Sequence, residues 1–264
     1  MTSAQLPEPL QDFCAAEGEL LPQLRRVDAL RTRYQTERNA GRVLPNTLEA
    51  IRVELTYHSN AIEGSTLTLR ETQLVLEGRS PAGNKPMREL YEARNHDRAL
   101  RLIESWAATR ASQPIAEHEL LEVHAHVLAD IDPAAAGRYR TDRVLIKGTR
   151  FVPPGAHKFP VLIPLLLEQA NAPGIPAPLQ AAELHYNLVA VHPFNDGNGR
   201  TSRLFMNYML LRAGYPLTVI EIERRAEYLA ALEEANAGRV QPFAVFIIAS
   251  IERSMQRLLG DDPA

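Results

Sequence analysis

Apolar side chains recur along most of this chain at three- and four-residue spacing, the period of a helix with one buried face. Leu20, Leu21, Leu24, Val27, Leu30 and Tyr34 mark such a helix within residues 1 to 47, after a loose, proline-bearing start. Leu48, Ile51, Leu55 and Ile62 mark a second from Thr47 to Glu63, with Gly64 placed to cap its C-terminus. Thr68-Leu69-Arg70-Glu71 is a capping box that opens a short helix closed by Gly78, and RSPAGNKP follows as a loop. Leu90, Tyr91, Ala99, Leu102, Ile103 and Trp106 set a longer helix over residues 87 to 110, with another over 115 to 129 and a short one over 161 to 171. Leu184, Leu188 and Val191 behind Pro178, then Leu204, Phe205, Tyr208, Met209 and Leu211 up to Gly214 and Pro216, predict two helices joined by a tight loop. Arg224 to Ala237 and Pro242 to Leu259 add two more, the last striped by Phe243, Phe246, Ile247 and Ile251.

The period changes after Pro133. Val144-Leu145-Ile146 and Arg150-Phe151-Val152 flank Lys147-Gly148-Thr149, short β-type runs about a glycine turn, and Pro153-Pro154 then stops pairing. The expected fold is therefore all-α with one small β-hairpin.

Composition narrows the function classes. With 264 residues, 45% hydrophobic and 23% charged, the chain suits a globular protein with a sizeable core in one large domain or two packed ones. A net charge of −3 argues for neither nucleic acid nor an anionic membrane as partner. One cysteine, Cys14, excludes an intrachain disulfide and a Cys-based zinc cluster. The start, MTSAQLPEPLQDF, lacks the pattern of a secretory signal and no apolar run is long enough to span a bilayer, so a cytoplasmic protein is expected. His96, His118, His124 and His126 show no metal-ligand spacing and read as core or surface histidines.

Chemistry concentrates in the loop between the two central helices, His192-Pro193-Phe194-Asn195-Asp196-Gly197-Asn198-Gly199-Arg200-Thr201-Ser202-Arg203. A glycine-rich loop that opens a helix leaves unpaired N–H groups at the positive end of the helix dipole, a site for phosphate. Arg200 and Arg203 are three apart, so they share a face and can reach one anion. Asp196 repels phosphate unless a cation stands between them, and Mg²⁺ takes one or two carboxylates together with substrate phosphates. His192 is placed to accept a proton from an attacking hydroxyl. An EF-hand is excluded, since that register puts Phe194 and Phe205 where carboxylates are required.

Upstream, Ser59-Asn60-Ala61-Ile62-Glu63-Gly64 sets Ser59 and Glu63 one turn apart at a helix C-terminus, where the dipole disfavours a carboxylate. Some other group should hold Glu63.

The twelve-residue loop resembles the signature of the Fic family, and Ser59 to Gly64 resembles the inhibitory motif of its members with an N-terminal inhibitory helix. The resemblance spans about residues 40 to 255. It implies an all-helical Fic bundle with the hairpin as a flap that registers a target polypeptide, an N-terminal helical region over 1–110 and a Fic core over 111–264. By the same resemblance His192 would be the catalytic base and Asp196 the Mg²⁺ ligand. Gly197, Asn198 and Gly199 would hold phosphate, Arg200 and Arg203 the outer phosphates of ATP, with Phe194 a buried anchor and Tyr228 lining the nucleotide pocket. Glu63 would pair with Arg203 and deny it to the γ-phosphate. Glycine at 199, where the related Doc toxins carry lysine, favours AMP transfer over phosphorylation. The implied function is protein adenylyltransfer, from ATP to a Ser, Thr or Tyr hydroxyl of a target protein, with a homodimer left open. Removal of AMP at the same site, or a nucleotide-binding interaction module, stand as the alternatives.

Overall fold

The computed structural model describes residues 6–81, 83–146 and 148–261. Among them run ten α-helices: α1 (Glu17–Asn39), α2 (Pro45–Ile62), α3 (Leu69–Leu76), α4 (Met87–Thr109), α5 (Glu117–Leu128), α6 (Phe159–Ala170), α7 (Ala177–Val191), α8 (Asn198–Arg212), α9 (Arg225–Asn236) and α10 (Gln241–Leu259). Every helix expected from periodicity is present. Local signals set the ends: Thr68 and Glu71 complete the capping box of α3, and Gly64 and Gly78 take positive φ after α2 and α3. No helix among the described residues is long and apolar enough to cross a membrane.

The pair α7 and α8 forms the centre, with α4 and α5 packed on α8 and α6, α9 and α10 packed on α7. All of α7 except Ala177 and Val189 is buried, polar residues included. Its single apolar stripe in the sequence understated this, because internal partners satisfy the polar face: Gln180 donates to the carbonyls of Gln169 and Ala172, and Glu183 accepts from Gln169. Outside this centre α1 lies along α10 and α2 along α4. One buried apolar cluster runs through all of these layers, and it is continuous across the boundary expected between residues 110 and 111.

Two expectations need correction. Among the described residues before α1 the chain is not loose: Leu10 and Phe13 are buried, Phe13 lies between Tyr186 and Phe243, and Gln11 exchanges two hydrogen bonds with the Asn187 side chain. An aromatic ring seated in the core outweighs two nearby prolines. The hairpin is the second. Residues 143–146 and 148–152 form no strand among the described residues, and no backbone hydrogen bond joins the two arms. Lys147, at the expected turn, lies outside the described residues. An isolated two-stranded ribbon is marginal in water, and here Arg140 ties its two ends instead, donating to the carbonyls of Asp142 and Pro154.

Candidate active site

The loop between α7 and α8 is built from its backbone outward. His192 ends α7 in the left-handed region, φ 49°, the one described non-glycine residue with positive φ. Such a conformation is held against its own strain by surrounding contacts. Here Arg140 supplies them: its Nε donates to the His192 carbonyl at 2.7 Å and its backbone N–H to the Pro193 carbonyl at 2.9 Å. Phe194 is buried and stacks on the His124 ring, with centroids 3.6 Å apart and planes within 5°. His124 accepts the Gly137 N–H at Nδ1, so its proton is on Nε2, which donates to the Asp196 carbonyl at 3.0 Å. Gly197 takes φ 76°, and a Cβ there would press to 3.1 Å from Val127.

The Asn198 side chain turns into the loop itself. Its Oδ1 accepts the Phe194 N–H and its Nδ2 donates to the Phe194 carbonyl, so both ends of the amide clasp the loop. What it leaves for an anion is its backbone N–H, which with those of Gly199 and Arg200 opens α8 without an intrahelical acceptor.

The imidazole of His192 donates from Nδ1 to the Val189 carbonyl at 3.3 Å. A carbonyl only accepts, so Nδ1 carries the proton and Nε2 keeps a free lone pair. Burial pushes this histidine down to about 4, against the pull of that carbonyl, so the ring is neutral at physiological pH. His192, Gly199, Arg203, Tyr228 and Glu63 line one cavity of 480 Å³, a size suited to a nucleotide-scale ligand. Tyr228 is held there by its hydroxyl at 2.8 Å from His185 Nε2.

Ser59 and Glu63 arrive from α2. The buried Arg203 donates from Nε to Ser59 Oγ at 2.9 Å, and from Nη2 to the Ser59 carbonyl at 2.8 Å and Glu63 Oε1 at 2.7 Å. Burial works against the charge on Glu63, but the Arg203 guanidinium prevails and holds its carboxyl below the ordinary value. That carboxylate lies over the start of α8, where a Cβ on Gly199 would collide with Oε1.

Asp196 and Arg200 sit to one side of the cavity. Asp196 accepts the Gly197 N–H at 2.6 Å and pairs with Arg88 of α4, while Arg200 reaches Asp196 at 3.3 Å and Glu92 of α4 at 3.4 Å. The Arg200 side chain is 3% exposed, yet its Nε has no hydrogen-bond partner, an unmet donor that an anion would satisfy. Among the described residues no group of three His, Cys, Asp or Glu could hold a metal by itself.

The family model described as Fic/DOC family matches residues 114–210, which include the whole loop. The solved structure of Fic-1 from Caenorhabditis elegans, residues 134–508, superposes with a TM-score of 0.82 at 33% identity, covering 93% of this chain and 73% of that one. The chain belongs to the Fic/DOC family. A Fic family protein from Desulfovibrio desulfuricans superposes with a TM-score of 0.78 at 25% identity, over 97% of this chain and 77% of that one. Protein adenylyltransferase fic-1 of C. elegans is 38% identical over 207 residues, 77% of this chain. Protein adenylyltransferase Fic of Nematostella vectensis is 38% identical over 214 residues. The chain spans 40% and 48% of the length of these two relatives.

Within the Fic fold the structure adds residues that periodicity could not single out. His124 and Arg140 shape the loop from α5 and the segment after it, and Arg88 and Glu92 of α4 bracket Asp196 and Arg200. In the sequence, Arg88 and Glu92 are an ordinary i,i+4 pair. Arg140 is one of three arginines between positions 138 and 143, and only its burial sets it apart.

Proposed function

We propose that this site transfers AMP from ATP to a hydroxyl side chain of a protein, and that Glu63 restrains it. The observation that carries the reading is the meeting, in one cavity, of a neutral imidazole with a free Nε2, the amide-bearing start of α8 and a buried guanidinium held by a removable carboxylate. The names of the relatives support the same reaction class.

In the step, the hydroxyl oxygen attacks the α-phosphorus of ATP. An O–P bond forms, the bond from the α-phosphorus to the bridging oxygen breaks, and pyrophosphate leaves. The hydroxyl proton passes to His192 Nε2. The Asn198, Gly199 and Arg200 amides and Arg200 would face developing charge on the phosphates, and Arg203 would grip the terminal phosphate once Glu63 withdraws. Asp196 fits a Mg²⁺ that arrives with phosphates: it is the loop's one carboxylate, half-exposed, and such an ion completes its shell with phosphate oxygens and water. Bound there, Mg²⁺ would neutralise phosphate charge. Tyr228 would line the base end of the pocket.

Residues 142–154 are the proposed flap. Among the described residues this stretch has no strand partner, and its backbone would take on strand pairing when a target polypeptide lies alongside. A reducing compartment such as the cytoplasm suits the lone Cys14, whose thiol burial pushes up to about 12, far from a reactive thiolate.

Glu63 shares its cavity with His192, which supports a second reading, removal of AMP from a modified protein by a water that Glu63 aligns. Mass spectrometry of the Glu63→Gly chain incubated with Mg²⁺ and ATP tests the first. One added AMP is expected; a bare phosphate, or no gain, overturns it. Release of AMP from modified protein by the parent, lost in Glu63→Gly, would favour the second.

A further inference from the structure

Most guanidinium groups on this surface are matched: Arg26 with Glu252, Arg98 with Asp130 and Arg101 with Asp97 are typical. The stretch from residue 138 to 158 departs from that pattern. It carries six Lys or Arg residues against a single acidic one, Asp142, in a chain whose net charge is −3. Arg140 is buried as the tie described above. Arg138, Arg143, Arg150 and Lys158 are exposed, and none of the four has a side-chain ion pair or hydrogen bond among the described residues.

Their placement follows from Arg140. It ties Asp142 and Pro154 to the His192 carbonyl, and Ile146, Gly148, Thr149 and Phe151 of the stretch between line the cavity, so Arg143 and Arg150 stand on the segment that borders it, with Arg138 and Lys158 beyond its two ends. The arms between them alternate. Arg143, Leu145, Arg150 and Val152 are exposed, with Leu145 at 83% and Val152 at 51%, whereas Ile146, Thr149 and Phe151 turn to line the cavity. Unmatched cations interleaved with exposed aliphatic side chains, on backbone that has no strand partner among the described residues, describe one half of a β-interface.

We propose that this flap selects target segments in which Asp or Glu alternate with aliphatic residues around the acceptor hydroxyl. The inference rests on the proposed adenylyl transfer and names the class of its protein substrate. Added as a strand, such a segment gives its carboxylates to Arg143 and Arg150, with Arg138 and Lys158 at its ends, and its aliphatic side chains to Leu145 and Val152. A nucleic acid would match the cations but not Leu145 and Val152, and the exposed positions of the arms offer no aromatic ring for base stacking.

The test uses the full chain bearing Glu63→Gly, and peptides in which Glu and Asp alternate with Val and Leu around one Thr, Ser or Tyr, with Lys-for-acid counterparts. Fluorescence anisotropy reads binding, and α-³²P-ATP reads labelling of peptide and of the chain itself. The acidic peptides should bind about tenfold more tightly at low salt, less so as salt rises. Arg143→Glu with Arg150→Glu, at an unchanged melting temperature, should invert the preference. Equal binding of both sets, no binding of the acidic set, or tighter binding of duplex DNA overturns the inference. Auto-modification without acidic preference rejects this inference alone, whereas failure of auto-modification rejects adenylyl transfer itself.

Discussion

Glu63 and Gly199 are in mutual contact across 136 positions of chain: the carboxylate lies where any side chain at 199 would stand. Removing either partner should therefore register at the other. Glu63→Gly is expected to raise auto-modification about tenfold or more, the size of one charge-assisted hydrogen bond withdrawn from competition with phosphate. Gly199→Ala should destabilise the parent by about 1 kcal/mol more than it destabilises the Glu63→Gly chain, a coupling that urea unfolding of the four proteins reads directly. Additive effects would mean that the contact is absent in solution.

His192 supplies the second prediction. His192→Ala should lower label transfer in the Glu63→Gly background by ~10²-fold or more while ATP still binds, as expected for loss of a general base. Burial holds this imidazole at about 4. The base is active when neutral, so transfer should persist as pH falls through 6.5 and decline only as pH approaches 4. A pH–rate profile whose acid limb bends near 6.5 would remove His192 as the titrating group.

Arg140 is the third. Arg140→Met would strand the carbonyls of His192, Asp142 and Pro154, three acceptors that one guanidinium now serves. Unmet buried acceptors cost ~1–3 kcal/mol each where water cannot reach them, so a loss of about 2–4 kcal/mol in chemical unfolding is expected. The turnover of Arg140→Lys should stay well below the parent's, since an ammonium cannot reproduce the planar fork.

Glu183 gives a stability prediction remote from the loop. Burial, with Asp12 adding to it, pushes its carboxyl up to about 7, against a backbone hydrogen bond from Phe13. A raised folded-state value means that the stabilising protonated form is complete below the unfolded value, about 4.3, and is lost as pH rises through 7. His124 and His192, both held near 4, act in the opposite sense over part of that window. The melting temperature of Glu183→Gln should therefore be compared with that of the parent: the difference should grow in favour of the variant between pH 4.5 and 8. A constant difference would place Glu183 in contact with solvent.

Helix positions were legible because the spacing of residues such as Leu24, Leu55 and Ile103 is local information; Ile247, at 0% exposure, sits where its stripe in α10 requires. The pairing of Glu63 with Arg203 was legible only through the family resemblance, since nothing local links positions 140 residues apart. Val144 to Val152 has strand-like composition, yet strands need partners, and among the described residues this segment shows none. At Asn198 the sequence did not reveal which part of the residue is engaged: its side-chain amide carries both donor and acceptor, and Phe194 uses both, leaving the backbone N–H at the start of α8. Phe13 shows the reverse error, a core residue hidden in a stretch too short for any period to appear.

Because α7 and α8 are packed on every side, the turn between them inherits the stiffness of the molecular centre. The parts that the proposed activation would move are peripheral: one carboxylate at the end of α2, and an arm fastened at its two feet. On the proposed reading, turning such a machine on would ask for a latch to lift and not for the engine to be rebuilt, and new clients would be acquired by editing the rim while the centre stays as it is.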